Sequence, residues 1–284
     1  MPYGKAIELF LVNGTADSIV TAELSNWNGK AIKIPRIEVQ SCNRDDITQP
    51  GVYFLFCKED DDTDSVYIGE SENVKDRLIQ HIRDYQAGKE KYYWTTAVIF
   101  TGRDLNKTLI RYLENELVNL AKECKRYRML TKNTYQNTVT KESERAVMAE
   151  FIDNIKVVIN TLGYKVLEPL ISKKSSELSA DDELFFINTS TAKASGRTTT
   201  EGFVVMQGAL INESMGKSAT PAMKRMREKL GSKINDDLKT TEDLLFSSSS
   251  AAADFVLGYM VSGPQFWKNQ DGRTLKEIEA EKNE

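Results

Sequence analysis

Two β-prone runs joined by a short acidic stretch, with a capped helix directly after them, constrain the fold more than any other part of this sequence. Residues 52–57 and 65–69 are apolar and rich in aromatic and β-branched side chains, and residues 58–64 between them are polar and acidic. Asn73 then provides a good helix N-cap. The apolar positions that follow at helical spacing are Leu78, Ile79, Ile82 and Tyr85. This order predicts a β hairpin whose second strand leads directly into an amphipathic helix.

The remaining segments predict an α+β protein. The first 48 residues have the apolar runs and Asn-Gly turns of a small β meander. The other predicted elements are a third strand at 93–101, a helix from Asn106 to about Arg128, and a helix at 141–162. The predicted domains are an N-terminal β meander at 1–48, a central domain at 49–140, a bridging helix at 141–170 and a separate α+β domain at 171–284, entered through a polar linker at 172–182.

Composition excludes several classes of protein. No apolar run approaches the roughly 20 residues that a membrane span needs, and the start of the chain lacks the apolar stretch of a signal peptide. Three cysteines are an odd number without metal-ligand spacing, so the reducing cytoplasm is the expected location. The net charge of −4 means that a nucleic acid would have to bind to local basic patches.

Five polar side chains form the candidate site. Tyr53 and Tyr67 lie on the two strands of the predicted hairpin, and Arg77 and His81 follow at i,i+4 on one face of the helix. Glu114 belongs to an apolar helix stripe, where a carboxylate needs a partner such as a hard cation. Each residue alone is more often a packing or surface residue. Together they could bind and hydrolyse a phosphodiester.

The arrangement resembles a known family. Gly51-Val52-Tyr53, Tyr67-Ile68-Gly69, Arg77, His81 and Glu114 resemble, in order and spacing, the motifs of the GIY-YIG nuclease family. The resemblance implies a small α/β domain around a three-stranded antiparallel sheet, preceded here by the β meander. It also implies hydrolysis of DNA with one divalent cation, Mg²⁺ or Mn²⁺, per active site. The Asn that usually ends the family's motif set is matched best by Asn133, with Asn137 as the alternative.

The resemblance also implies a role for each residue. Glu114 would hold the metal, Arg77 would pair with phosphate oxygens, and Tyr67 would hydrogen-bond the water or the phosphate. Tyr53 would orient or deprotonate the water, and His81 could take the proton. As His81 is the only histidine, we expect any pH–rate limb near neutrality to belong to it. Glu70 is interpreted as a solvent-facing turn residue, with a metal-shell ligand or a group that repels DNA as the alternatives.

The C-terminal region carries a second resemblance. Its small-residue segment at 247–260, Phe266-Trp267 and the segment 271–275 resemble the uncharacterised domain family 4357, and its pattern is similar to that of restriction-enzyme and adenine-methylase associated domains. This implies recognition of DNA or of a protein partner. A basic run at 217–233 is either a solvated face or a phosphate contact. The candidate DNA contacts nearer the site are Lys122, Lys125, Arg126 and Arg128.

Three readings of function follow. The first is a metal-dependent DNA endonuclease with a C-terminal targeting domain and no membrane partner. The second is a catalytically inactive DNA-binding protein that keeps the fold, and the third is a protein-interaction module. A single centre cuts one strand, so double-strand cleavage would indicate a homodimer or sequential nicking.

Overall fold

The computed structural model describes residues 4–59, 63–132, 140–171 and 183–282. The chain divides into two compact units, Met1–Pro169 and Leu170–Glu284. Within the described ranges, no helix has both the length and the apolar character that a membrane crossing requires. The expected linker at 172–182 lies outside the described residues.

Among the described residues, the first unit is built on one sheet of seven strands. The strands are β1 (Ile7–Leu11), β2 (Val20–Leu24), β3 (Gly29–Pro35), β4 (Gly51–Lys58), β5 (Asp64–Ser71), β6 (Trp94–Gly102) and β7 (Arg128–Met129). Their order is β1-β2-β3-β6-β4-β5-β7, and only the β5–β7 pair is parallel. The predicted hairpin and third strand form its centre, as β4, β5 and β6.

The α+β class and the separate C-terminal sheet are confirmed, but the sheet around the predicted hairpin has seven strands and not three. Strand β3 pairs with β6 along its whole length, from Gly29 opposite Gly102 to Pro35 opposite Thr96. The meander therefore extends the central sheet. The physical reason is that β6 is buried over most of its length, so the backbone groups on both of its edges need partners.

The helices that cover the sheet in the described part of this unit are α1 (Val74–Gln86), α2 (Lys107–Cys124) and α3 (Glu142–Thr161). Helix α1 begins where the sequence predicts, with the Asn73 side chain accepting a hydrogen bond from the Asp76 backbone N–H. Helix α2 ends at Cys124, four residues before the predicted end, because Lys125 adopts the left-handed conformation with φ 52°. The chain then returns as β7, which pairs with the start of β5.

Alternate residues of β4 separate the two layers around the sheet. Val52, Phe54 and Phe56 point into one core together with apolar residues of α2 and α3. Tyr53, Leu55 and Cys57 point into the other core, against α1. Helix α3, expected as a bridge between domains, is thus part of the core of the first unit. Phe151, Ile155 and Val158 form its buried face, whereas Val147 is 57% exposed.

The second unit contains a separate antiparallel sheet with the order β11-β10-β9-β8. Its strands are β8 (Phe185–Asn188), β9 (Lys193–Thr199), β10 (Gly202–Val205) and β11 (Leu244–Phe246). Its helices are α4 (Pro221–Lys229), α5 (Ser249–Leu257), α6 (Gly263–Phe266) and α7 (Leu275–Glu281). Trp267 is fully buried, with its ring 4.5 Å from that of Phe203 and its indole N–H donating to the Ser249 carbonyl. Phe266 remains 39% exposed.

Candidate active site

The register of the β4–β5 hairpin brings the two tyrosines together. Tyr53 lies opposite Gly69, and Tyr67 lies opposite Leu55, so the phenols are diagonal neighbours on one face of the sheet. Their ring centroids are 6.2 Å apart. A Cβ atom at Gly69 would lie 2.5 Å from the Tyr53 hydroxyl oxygen. The glycine that ends the second tripeptide is therefore the residue that leaves room for the Tyr53 phenol.

The first tripeptide also begins with a glycine that the packing requires. A Cβ atom at Gly51 would lie 2.5 Å from the Phe100 carbonyl oxygen on β6. Only a residue without a side chain allows β4 and β6 to approach this closely at that point. Close packing thus requires both glycines of the motif, independently of the chemistry of the tyrosines.

His81 connects Tyr53 to an acidic residue that sequence reasoning missed. His81 is fully buried, and its Nε2 lies 2.9 Å from the Tyr53 hydroxyl oxygen. Its Nδ1 lies 2.7 Å from Oε1 of Glu90. Glu90 follows the end of α1 in a polar segment without apolar periodicity, so no pattern in the sequence singles it out. The folded chain turns back after α1 and places this carboxylate beside the imidazole.

The surroundings of His81 keep its imidazole neutral. Burial lowers the pKa of His81 to about 3, and the nearby charges of Arg77 and Arg36 act in the same direction. The Asp84 carboxylate opposes them, because an anion favours the imidazolium. The expectation that His81 titrates near neutrality is therefore not supported.

The charge of Arg77 influences the pKa of both tyrosines and of Glu114. Its guanidinium donates to the Gln80 side-chain oxygen at 2.7 Å. It also lowers the pKa of the Tyr53 and Tyr67 phenols, although burial is the larger influence and raises both. The same cation lowers the pKa of Glu114. Arg77 therefore lies within electrostatic reach of the tyrosines and of the carboxylate on α2.

Glu114 is a buried carboxyl group, as the apolar stripe of α2 predicts. The residue is 6% exposed, and its Oε2 accepts no hydrogen bond from the described part of the chain. Burial and the neighbouring Glu70 raise the pKa of Glu114 to about 7, against the opposing effects of Arg111, Arg77 and Lys107. Near neutral pH this carboxyl group can therefore exchange its proton readily.

The interpretation of Glu70 as a solvent-facing residue is wrong, because its side chain is only 8% exposed. Glu70 lies opposite Val52 in the sheet and shares the face that α2 covers. Its carboxylate pairs with Lys107 at 3.4 Å and with Arg111 at 3.6 Å. Two cations on α2 thus balance Glu70, and Glu70 in turn disfavours a second negative charge on Glu114.

Comparison with known families gives two matches. Residues 49–128 match the GIY-YIG catalytic domain, and residues 185–279 match the domain of unknown function DUF4357. The chain carries a GIY-YIG catalytic domain. Searches of curated proteins and of solved structures gave no match. Both resemblances inferred from the sequence motifs are thus confirmed, and the first match implies nuclease activity.

GIY-YIG nucleases typically use a divalent metal, and the residues of this domain are compatible with one. Over the described ranges, no group of three or more His, Cys, Asp or Glu residues could hold a metal ion. Mg²⁺, however, usually keeps several waters and takes only one or two protein carboxylates together with substrate phosphate oxygens. The buried Glu114 Oε2, which lacks a hydrogen bond within the described residues, fits this requirement.

Two sets of predicted site residues remain, the asparagine of the motif set and the basic residues expected to contact DNA. Asn133 and Asn137 lie outside the described residues. The chain just before them is held by Thr131, whose hydroxyl group accepts from the Ile68 N–H and donates to the Ile68 carbonyl, both at 2.8 Å. Lys122 and Lys125 are exposed at the end of α2, whereas Arg128 pairs with Glu59 at 2.6 Å.

Some cations of the basic run at 217–233 make contacts within the second unit. The Arg227 guanidinium donates to the Phe255 and Asn212 carbonyls and lies over the Phe255 ring. Lys233 pairs with Glu242 at 2.6 Å. The cations that remain exposed on and before α4 are Lys217, Lys224, Arg225 and Lys229.

Proposed function

We propose that this chain is a divalent-metal-dependent endonuclease that hydrolyses DNA phosphodiester bonds. The observation that carries the proposal is the hydrogen-bonded series Tyr53–His81–Glu90, which lies within electrostatic reach of Arg77. Glu114 adds a buried carboxyl group that also lies within electrostatic reach of Arg77. This combination provides a route for a proton, a cation for the phosphate and a ligand for a metal.

The proton route follows from what each group can accept. An ionised Glu90 only accepts hydrogen bonds, so the His81 Nδ1 carries the proton and its Nε2 accepts from the Tyr53 hydroxyl group. Tyr53 can then take a proton from the attacking water while it gives its own proton to Nε2. The Tyr53 pKa is raised well above its usual range by burial, so this concerted transfer avoids a free phenolate. The resulting imidazolium is stabilised by Glu90.

Arg77 links substrate binding to this transfer. Its guanidinium can pair with two oxygens of the scissile phosphate, which fixes the orientation of the phosphate and offsets the charge that develops on it. The charge of Arg77 also lowers the pKa of His81. A bound phosphate would screen that charge and make His81 a stronger base. Tyr67, beside Tyr53, would donate a hydrogen bond to the water or to the phosphate.

Glu114 would hold one Mg²⁺ or Mn²⁺ ion. When bound, such an ion supplies positive charge at a non-bridging phosphate oxygen and at the leaving oxygen. Glu114 contributes by losing its proton, which its raised pKa of about 7 makes easy to exchange near neutral pH. Burial and the charge of Glu70 disfavour the ionised form of Glu114, so a bound cation would stabilise that form.

The second unit is proposed to direct the nuclease to its substrate. The exposed cations Lys217, Lys224, Arg225 and Lys229 can contact phosphates, and a protein partner is the alternative. For the catalytic unit we propose that Lys122, Lys125, Arg126 and Arg128 include DNA contacts. We also propose that the protein is cytoplasmic. If it cuts both strands of DNA, we propose that it acts as a homodimer.

The proposal is tested by incubating the full chain with supercoiled plasmid, methylated plasmid and branched DNA, in Mg²⁺ and in EDTA. We expect Mg²⁺-dependent cleavage of at least one substrate, and a loss of about 10²–10³ in rate for Arg77→Ala and Glu114→Gln. Arg83→Ala on α1 and Glu116→Gln on α2 are the matched controls and should cleave normally. No cleavage of any substrate, or equal rates for the four variants, would refute the proposal.

A further inference from the structure

A cleft of about 820 Å³ opens beside the proposed catalytic centre. The side chains that line it and carry the argument are Tyr85, Tyr92, Tyr93, Lys91, Arg128 and Lys132. Glu90 also belongs to its wall, so the cleft reaches the residue that hydrogen-bonds His81. Its volume falls within the range of about 300–1,000 Å³ that ligand sites occupy. The proposed chemistry uses none of this space.

Aromatic rings connect the cleft to the catalytic tyrosines. The Tyr92 ring stacks on that of Tyr67 with a centroid distance of 5.8 Å. Tyr93 is 48% exposed and packs edge-on against Tyr85 at 5.3 Å. The Arg36 guanidinium lies 4.7 Å from the Tyr93 centroid and supports the ring from within the protein. The tyrosines therefore form a held aromatic surface that continues from Tyr67.

The described residues that line the cleft carry a net charge opposite to that of the chain. Among them are five cationic and two anionic side chains, whereas the chain as a whole has a net charge of −4. The Glu59–Arg128 pair at 2.6 Å cancels one charge of each sign, and Glu90 contacts His81. Lys91 and Lys132 are exposed. An anionic ligand with flat rings matches both the charge and the aromatic surface.

We propose that this cleft binds an unstacked, single-stranded stretch of DNA next to the scissile phosphate. Bases stack on aromatic side chains only when they have left the duplex, and lysines beside such rings follow the phosphates. The substrate class is then DNA that contains a single-stranded segment, such as a flap or a branch. The proposal deepens the proposed function and rests on it. An acidic peptide matches the charge, but it offers no rings for the tyrosines.

The test measures binding of the full chain in EDTA, where no cleavage occurs. Fluorescence anisotropy compares a 20-residue oligothymidylate with a duplex of equal length over a series of salt concentrations. We expect tighter binding of the single strand. Lys91→Gln/Lys132→Gln should reduce the slope of log affinity against log salt by about 1.4, since each phosphate contact contributes about 0.7 for single strands. The matched control Lys239→Gln/Lys276→Gln removes two exposed lysines that belong to none of the proposed DNA contacts and should keep the slope.

A stacking variant and a competitor complete the experiment. Tyr93→Leu should weaken binding of the single strand about fivefold or more, with folding checked by thermal unfolding. The proposal is overturned if the duplex binds as tightly as the single strand, if the control pair lowers the slope equally, or if polyglutamate displaces the oligonucleotide. Preferred binding of single strands without any cleavage would refute the nuclease proposal alone. Cleavage without such a preference would refute the cleft alone.

Discussion

Glu114→Gln should stabilise the metal-free protein at high pH. Glu114 is buried, and its pKa is raised from 4.5 to about 7. The folded state therefore holds a proton on Glu114 between these pH values, whereas the unfolded chain releases it. Stability is greatest below the unfolded pKa and falls as the pH rises to about 7, because the folded state must then carry a buried charge. Glutamine resembles the protonated carboxyl group and has no such dependence.

The size of the effect follows from the pKa difference. Each pKa unit corresponds to about 1.4 kcal/mol, so a shift from 4.5 to about 7 corresponds to about 3 kcal/mol above pH 7. At pH 5 the same shift leaves less than about 1 kcal/mol. We therefore expect Glu114→Gln to exceed the wild-type free energy of unfolding by about 3 kcal/mol at pH 8 and by much less at pH 5.

The assay is chemical denaturation in EDTA at pH 5 and pH 8, followed by fluorescence. Glu116→Gln, which also removes one carboxylate from α2, is the control. A second series adds Mg²⁺, which should stabilise the wild type by about 1.4 kcal/mol at ten times its dissociation constant and leave Glu114→Gln unchanged. The reasoning fails if Glu114→Gln is no more stable than the wild type at pH 8, or if the difference does not change with pH.

Three further predictions concern the rest of the site. Glu90→Gln should lower kcat about 100-fold with little change in KM, because it weakens the base and not the DNA contacts; an unchanged kcat in single-turnover cleavage would exclude this role. The His81 ring, as the only imidazole, should show constant ¹⁵N chemical shifts from pH 8 to pH 5, and a midpoint near 6.5 would contradict its lowered pKa. Gly69→Ala should lower the free energy of unfolding by about 1–3 kcal/mol, because the new Cβ would lie 2.5 Å from the Tyr53 hydroxyl oxygen; denaturation measures this, and wild-type stability would contradict it.

Local signals in the sequence predicted the central part of the fold well. The cap at Asn73, the acidic hairpin and the strand at 93–101 depend on neighbouring residues, and each appears within a few residues of its expected place. The end of α2 could not be predicted, because a left-handed lysine at position 125 has no strong sequence signal. The joining of the meander to β6 depends on pairing between distant strands, which periodicity does not report.

In the candidate site, too, the features that depend on local sequence could be predicted and those that depend on distant contacts could not. The burial of Glu114 follows from its apolar helix stripe, and the closeness of Tyr53 to Tyr67 follows from the hairpin. The contact between Glu90 and His81 spans nine residues across a turn and has no periodic signature. The pKa of His81 could not be predicted either, because it depends on complete burial and on cations at Arg36 and Arg77. Sequence motifs identify the groups, but their protonation states depend on the folded environment.

The balance of charge around Glu70 and Glu114 explains which carboxylate should bind a metal. Glu70 already has cations at 3.4 and 3.6 Å, so a metal there would compete with Lys107 and Arg111. Glu114 has a buried oxygen that accepts no hydrogen bond within the described residues, and its charge is disfavoured by Glu70. A divalent cation gains most where a buried negative charge is least compensated. We therefore expect a metal to bind at Glu114 and not at Glu70, because burial and Glu70 raise the pKa of Glu114 to about 7, where a cation can replace its proton.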